Sequence, residues 1–145
     1  MRVRYNVNMG RTGIRASAII IKNNQALLMH RKKEGKEYWT FPGGGIEEGE
    51  TGGEAVVREV KEETGLVCTK VAKAFEVETF EGGNLHPYYF CEVEDGQPKL
   101  GGPEAERNSP DNWYQVEWVS LGDVEKINLL PETAKNKFLE VKHDN

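Results

Sequence analysis

The chain has 145 residues, 37% of them apolar and 30% charged. That is enough for one domain with a real core, too apolar for a disordered chain and too polar for a membrane span. The formal charge of −5 is unevenly placed. Between Gly44 and Leu66 seven glutamates face only Arg58 and Lys61, while the remaining chain balances at 17 acidic and 17 basic residues. Such a segment disfavours duplex nucleic acid, which needs clustered Lys and Arg, and suits divalent cations.

The N-terminal "MRVRYNVNMGRTGIR" is basic but lacks the apolar stretch of a secretory signal, so a cytoplasmic location and a single domain over residues 1–145 are expected. Residues 1–13 read either as a flexible extension or as an edge strand. "ASAIII" (16–21) and "ALLMHR" (26–31), separated by Lys22-Asn23-Asn24-Gln25, predict a hairpin, because Asn tolerates the positive φ of tight turns. "EYWTF" then leads into Pro42 and three glycines, which predict a loop. Thr51 and Glu54 form a T-x-x-E capping box and Gly65 supplies a stop, giving a helix over 52–64. Strands are predicted over Val67–Thr79 and Pro87–Glu94, joined by a turn at "EGGN". "DGQPKLGGPEAERNSPDN" reads as irregular, "YQVEWVSL" as a strand, and "PETAKNKFLEVK" as a helix with Pro131 at its first helical position. This order predicts a mixed α/β domain with helices packed on a sheet. Cys68 and Cys91, without CxxC spacing, read as reduced small hydrophobes.

On a helical wheel Glu59, Glu62 and Glu63 share an arc of roughly 100° around Ala55. Val56, Val60, Thr64 and Val57 fill the adjacent apolar arc. Like charges three or four apart destabilise a helix by roughly 0.2–0.5 kcal/mol per pair, so a compensating cation is expected. Oxygen-only ligands suit Mg²⁺ or Mn²⁺, and Arg58 is placed to pair with Glu54 or Glu62. The alternative is an ordinary solvated acidic face. The surrounding text weighs against it: "GGIEEGETGGEAVVREVKEETGL", from Gly44 to Leu66, matches G-x5-E-x7-R-E-U-x-E-E-x-G-U, U being a bulky aliphatic. Chance agreement is on the order of 10⁻⁷ per starting point for this composition.

The segment resembles the defining box of the Nudix (MutT-type) hydrolases. The resemblance implies an α/β/α sandwich and Mg²⁺- or Mn²⁺-dependent hydrolysis of a nucleoside diphosphate linked to a further group. By position, Glu59, Glu62, Glu63 and the Gly43 carbonyl look like metal ligands, and Glu50 with Arg58 looks like a supporting pair. Family members differ in the general base, so Glu59 or Glu63 within the box and Glu104 or Glu106 in "GGPEAER" stand as candidates, with a box residue preferred. The proline or tyrosine that marks some subgroups is absent near Glu81 and Gly82. A nucleoside triphosphate or modified nucleotide is therefore the expected substrate, with ADP-ribose, nucleotide sugars and dinucleoside polyphosphates as alternatives. A non-catalytic nucleotide sensor is the competing class, and a catalytic-cysteine isomerase is disfavoured because neither cysteine sits near the box.

Arg31, Lys32, Lys33 and Lys36 read first as a solvated run, with polyphosphate steering as the alternative. Trp39, Phe41, Tyr88, Tyr89 and Trp113 read first as packing residues, with base stacking as the alternative. His30, His86 and His143 show no partner spacing, and the triple glycine lacks the dinucleotide fingerprint. The expected partner is a small nucleotide, with neither duplex nucleic acid nor membrane. The oligomeric state is open, a homodimer being one option.

Overall fold

Residues Arg11–Ile19 form strand β1, whose alternation divides the interior into two cores. Ala16, Ala18 and Ile20 are packed with Val56 and Val60 of helix α1 (Gly52–Thr64), whereas Ile19 joins Leu28, Phe41, Tyr88 and Phe138 of helix α3 (Glu132–Val141). Burying each such large aliphatic side chain stabilises by about 1.5–3 kcal/mol. The β layer is thus held between two helices, giving an α/β/α arrangement. The computed structural model describes residues 11–78 and 83–142.

The remaining elements in chain order are β2 (Ile21–Lys22), β3 (Gln25–Lys33), β4 (Lys36–Thr40), β5 (Gly43–Glu47), β6 (Cys68–Glu78), β7 (Leu85–Val93), helix α2 (Gly102–Arg107), β8 (Asn112–Ser120) and a 3₁₀ turn at Leu121–Lys126. One sheet has the order β5-β1-β7-β6 and is mixed, since β1 runs parallel to β7 and antiparallel to β5. In the second, all-antiparallel sheet, β3 pairs with β2, β4 and β8.

Several sequence expectations need correction. The turn at Asn23 and Asn24 is present, with φ of 53° and 62°. Its hairpin joins only β2 to β3, because most of the run 16–21 lies in β1 and pairs in the other sheet. The "FPGGG" stretch is not simply a loop: Gly43–Glu47 forms β5 against β1, with Ser17 opposite Gly43. A Cβ on Gly43 would lie 2.3 Å from the Ala16 carbonyl oxygen, so glycine is what admits a strand so close. The stretch expected to be irregular contains α2. Pro131 is the N-cap of α3 rather than its first helical residue. Val57 is exposed, not part of the apolar face.

The two later strands end at Glu78 and begin at Leu85. Most of the N-terminal segment, at residues 1–10, lies outside the described residues, while 11–13 belong to β1. Thr79, Glu81, Gly82 and His143 also lie outside them, and with them the first half of the predicted "EGGN" turn. No helix among the described residues is long and apolar enough to cross a membrane.

Candidate active site

The capping box of α1 is formed in both directions: the Glu54 amide donates to Thr51 Oγ1 at 3.0 Å and the Thr51 amide to Glu54 Oε1 at 2.9 Å. Glu54 is thereby occupied, and Arg58 pairs elsewhere. Its Nε donates to Glu50 Oε2 at 2.7 Å and its Nη2 to Glu50 Oε1 at 2.9 Å, a bidentate pair, while Nη2 also reaches the Gly45 carbonyl at 3.0 Å. Nη1 donates to Glu59 Oε2 at 2.8 Å and lies 3.5 Å from Glu62 Oε1. One guanidinium therefore ties the turn before α1, strand β5 and the carboxylate row together. The fork geometry explains why an arginine does this. The Arg58 guanidinium and the Glu47 amide hold the Glu50 carboxyl down at about 2, and the same pairing raises Arg58.

Glu59 and Glu63 are buried, whereas Glu62 is exposed on the rim beside Arg58. Burial, then the hydrogen bond to Glu59, then the charges of Glu104 and Glu59 push the Glu63 carboxyl well above the usual range. The Gly43 amide, donating to Glu63 Oε1 at 3.3 Å, opposes this only in part. Gly44 packs over Glu59, where a Cβ would fall 2.4 Å from the carboxylate carbon.

Glu104 arrives from α2, which has no buried residue of its own. The preceding segment is held by the end of α1: the amides of Lys99 and Gly101 donate to the carbonyls of Thr64 and Glu63, both at 2.9 Å. These carbonyls lack helical partners, so capping them is what docks the segment. Gly101 fits because a Cβ there would stand 2.6 Å from the Glu62 carbonyl oxygen. Glu104 Oε1 ends buried with no hydrogen-bond partner, while Glu106 is exposed and does not line the cleft.

Among the described residues no three His, Cys, Asp or Glu side chains are arranged so that they could hold a metal ion together as they stand. The residues nevertheless fit a hard cation: Glu59 and Glu63 are in contact, the charge of Glu104 acts on the same pair, and a divalent ion held by these box oxygens would relieve their repulsion.

Glu63, Gly43 and Glu104 line a cleft of about 360 Å³ together with Arg15, Arg31, Arg107, Tyr38 and Tyr114. Arg31 lies 3.7 Å over the Tyr114 ring and donates through Nε to the Trp113 carbonyl at 3.3 Å and through Nη2 to Asn112 Oδ1. It is thus fixed rather than merely solvated, whereas Lys32, Lys33 and Lys36 are exposed. Phe41 and Tyr88 are buried in the core, as expected for packing residues, although both also touch the cleft. Tyr89 is half-buried, packed against the α1 core with its hydroxyl against Gly52.

Sequence reasoning missed Arg15, Arg107, Tyr38 and Tyr114 because they come from β1, α2, β4 and β8, elements of both sheets and a helix that meet only in the folded chain. It also missed the partners of His30, which lies between Glu117 and Glu37, 2.6 Å from each, and stacks on Trp39 at 4.1 Å with Trp113 edge-on at 5.0 Å. Those partners stand 7 and 87 residues away in the chain, beyond any motif.

Comparison with known proteins agrees with this geometry. The family description "NUDIX domain" matches residues 11–140. A nudix hydrolase of Caenorhabditis elegans is 33% identical over 115 residues, covering 76% of this chain and 31% of that protein. An ADP-ribose pyrophosphatase of Methanocaldococcus jannaschii is 51% identical over 55 residues, and an RNA pyrophosphohydrolase of Psychromonas ingrahamii 52% identical over 48, covering 37% and 33% of this chain and 32% and 26% of their own lengths. The match thus spans about a third or less of these curated relatives. In fold, the solved MutT protein of Methanosarcina mazei Go1 superposes with a TM-score of 0.67 at 23% identity, covering 91% of this chain and 94% of that one. With the family description matching nearly the whole described length and the box residues gathered on α1 beside a glycine strand, the chain belongs to the Nudix family.

Proposed function

We propose that this protein is a metal-dependent pyrophosphohydrolase that cleaves a nucleoside diphosphate linked to another group, with a nucleoside triphosphate or modified nucleotide as substrate. The observation that carries the reading is the buried carboxylate cluster that meets an arginine-lined cleft: Glu63 with its raised proton affinity, Glu59 in contact with it, and Glu104 with an unpartnered oxygen. Glu59, Glu62, Glu63 and the Gly43 carbonyl are the residues assigned to hold the ion. Bound Mg²⁺ or Mn²⁺ would supply charge neutralisation for the diphosphate and an acidified water.

The chain's own groups do the rest. Arg31, held over Tyr114, presents a fixed positive charge to the phosphates, and Arg107 lines the same cleft. Arg58 and Glu50 are positioning residues that hold Glu59 and strand β5 in register. Glu104 Oε1 is assigned as acceptor of the water's proton, ahead of Glu59, Glu63 and the exposed Glu106. The box pair is engaged with Arg58 and Gly43, whereas Glu104 Oε1 is buried and unengaged.

The relatives' names include both RNA and ADP-ribose substrates, so the test is a Mg²⁺ and Mn²⁺ hydrolysis screen over nucleoside triphosphates, 5′-triphosphorylated RNA, ADP-ribose, nucleotide sugars and dinucleoside polyphosphates, with product identification. Metal-dependent release of pyrophosphate or a nucleoside monophosphate is expected. Absence of turnover with saturable nucleotide binding would establish the sensor class instead.

A further inference from the structure

Arg15 sits on β1 opposite Gly45, two residues from Ser17, which faces Gly43. Its Nη2 donates to the Gly43 carbonyl oxygen at 3.2 Å. That carbonyl is the one backbone oxygen assigned above to the metal, so in this structure a tethered organic cation holds the oxygen that the ion needs. The Arg15 guanidinium forms no ion pair with a described residue. The strand that carries it is anchored, because the Arg15 amide donates to His86 Nδ1 at 2.9 Å, tying β1 to β7 beyond their ladder. The residue itself is exposed, and it lines the same cleft as Arg31 and Arg107.

We propose that Arg15 is a built-in competitor for the Gly43 carbonyl: it occupies that oxygen in the metal-free protein and is displaced when a divalent ion binds, which frees its guanidinium for the substrate's phosphates. The inference rests on the metal-site reading above. A guanidinium and a divalent cation on one carbonyl oxygen repel strongly at such separations even through water, so they share it poorly. A freed guanidinium, in contrast, meets the polyanion as a bidentate donor. Metal loading and phosphate capture are thereby coupled through one side chain. Arg15 accordingly weakens metal binding to the empty protein and strengthens substrate binding to the loaded one.

The test compares wild type, Arg15→Met and Arg15→Lys by calorimetric titration with Mn²⁺ in the absence of substrate, followed by the electron paramagnetic resonance signal of free Mn²⁺. Arg15→Met is expected to bind Mn²⁺ at least ~3-fold more tightly, with Arg15→Lys in between, because the lysine keeps the charge without the fork. On the substrate identified by the screen, KM should rise at least ~3-fold in Arg15→Met with kcat changed less. Equal or weaker Mn²⁺ affinity in Arg15→Met would overturn the competitor role. Failure of wild type to bind Mn²⁺ at all would instead overturn the metal-site reading on which it depends. Because Arg15 is exposed, melting temperatures of the metal-free variants should match wild type, and that measurement separates a folding defect from either outcome.

Discussion

Replacing Glu50 by Gln removes the charge from the bidentate Arg58 pair while keeping the side-chain shape. The Glu50 carboxyl is held at about 2 instead of 4.5. A difference of that size corresponds to a ceiling of about 3 kcal/mol in favour of the ionised, folded form. Glu50 is 16% exposed and Arg58 24%. Solvent at the rim therefore screens part of this, and about 2 kcal/mol is expected. For a chain of this length that lowers the melting temperature by about 4–8 °C at neutral pH.

The pH dependence follows from the direction of the shift. A carboxylate with a depressed folded value stabilises the protein above its unfolded value, and that stabilisation disappears as pH falls from about 4.5 toward 2. Thermal denaturation of wild type and Glu50→Gln, in metal-free buffer at pH about 7 and about 3, should show a gap that narrows on acidification. A variant melting within about 1 °C of wild type at neutral pH, or a gap that does not narrow, would refute the claim that this pair anchors the turn before α1.

Glu63→Gln should raise the melting temperature of the metal-free protein at pH 7–8 while reducing turnover at least ~100-fold. The Glu63 carboxyl is raised, so its folded environment opposes ionisation as pH climbs, and a neutral amide escapes that penalty. Differential scanning calorimetry with and without Mn²⁺ checks this, and a lower metal-free melting temperature would contradict the assignment. Glu104→Gln should lower kcat by ~100-fold or more with Mn²⁺ affinity little changed, whereas Glu106→Gln should leave both near wild type; single-turnover kinetics and Mn²⁺ titration separate the two. Gly44→Ala places a methyl group where the Glu59 carboxylate lies, with the nearest contact at 2.4 Å. It should cost ~1–3 kcal/mol in chemical denaturation and weaken Mn²⁺ binding at the same time.

The box helix was legible because its signals are local. Thr51, Glu54 and Gly65 bound it, and the observed span Gly52–Thr64 coincides with the predicted one. The wheel also placed Glu59 and Glu63 on one arc, but it could not rank exposure within that arc. Packing against β1 and β5 buries those two and leaves Glu62 on the rim, and the same packing leaves Val57 in solvent. Strand β5 was misread because glycines ordinarily signal turns. Here they report how closely β1 and Glu59 approach, a tertiary fact with no local trace. The short α2 was hidden for a similar reason, since none of its residues is buried as a whole and the segment before it is docked through backbone amides that any sequence possesses.

The charge distribution makes sense only when the acidic and basic residues of the cleft are considered together. Sequence order concentrates the negative charge in the box, which alone would repel a diphosphate. The fold then neutralises part of it internally through Arg58 and sets Arg15, Arg31 and Arg107 around the cleft that Glu63 and Glu104 enter. These three arginines come from β1, β3 and the end of α2, elements that meet only in the folded chain. On the proposed reading the carboxylates take a cation and the guanidiniums an anion. On that reading a metal-bound phosphate chain satisfies both sets of charges at once, which favours nucleotide polyphosphate substrates over neutral or cationic ones.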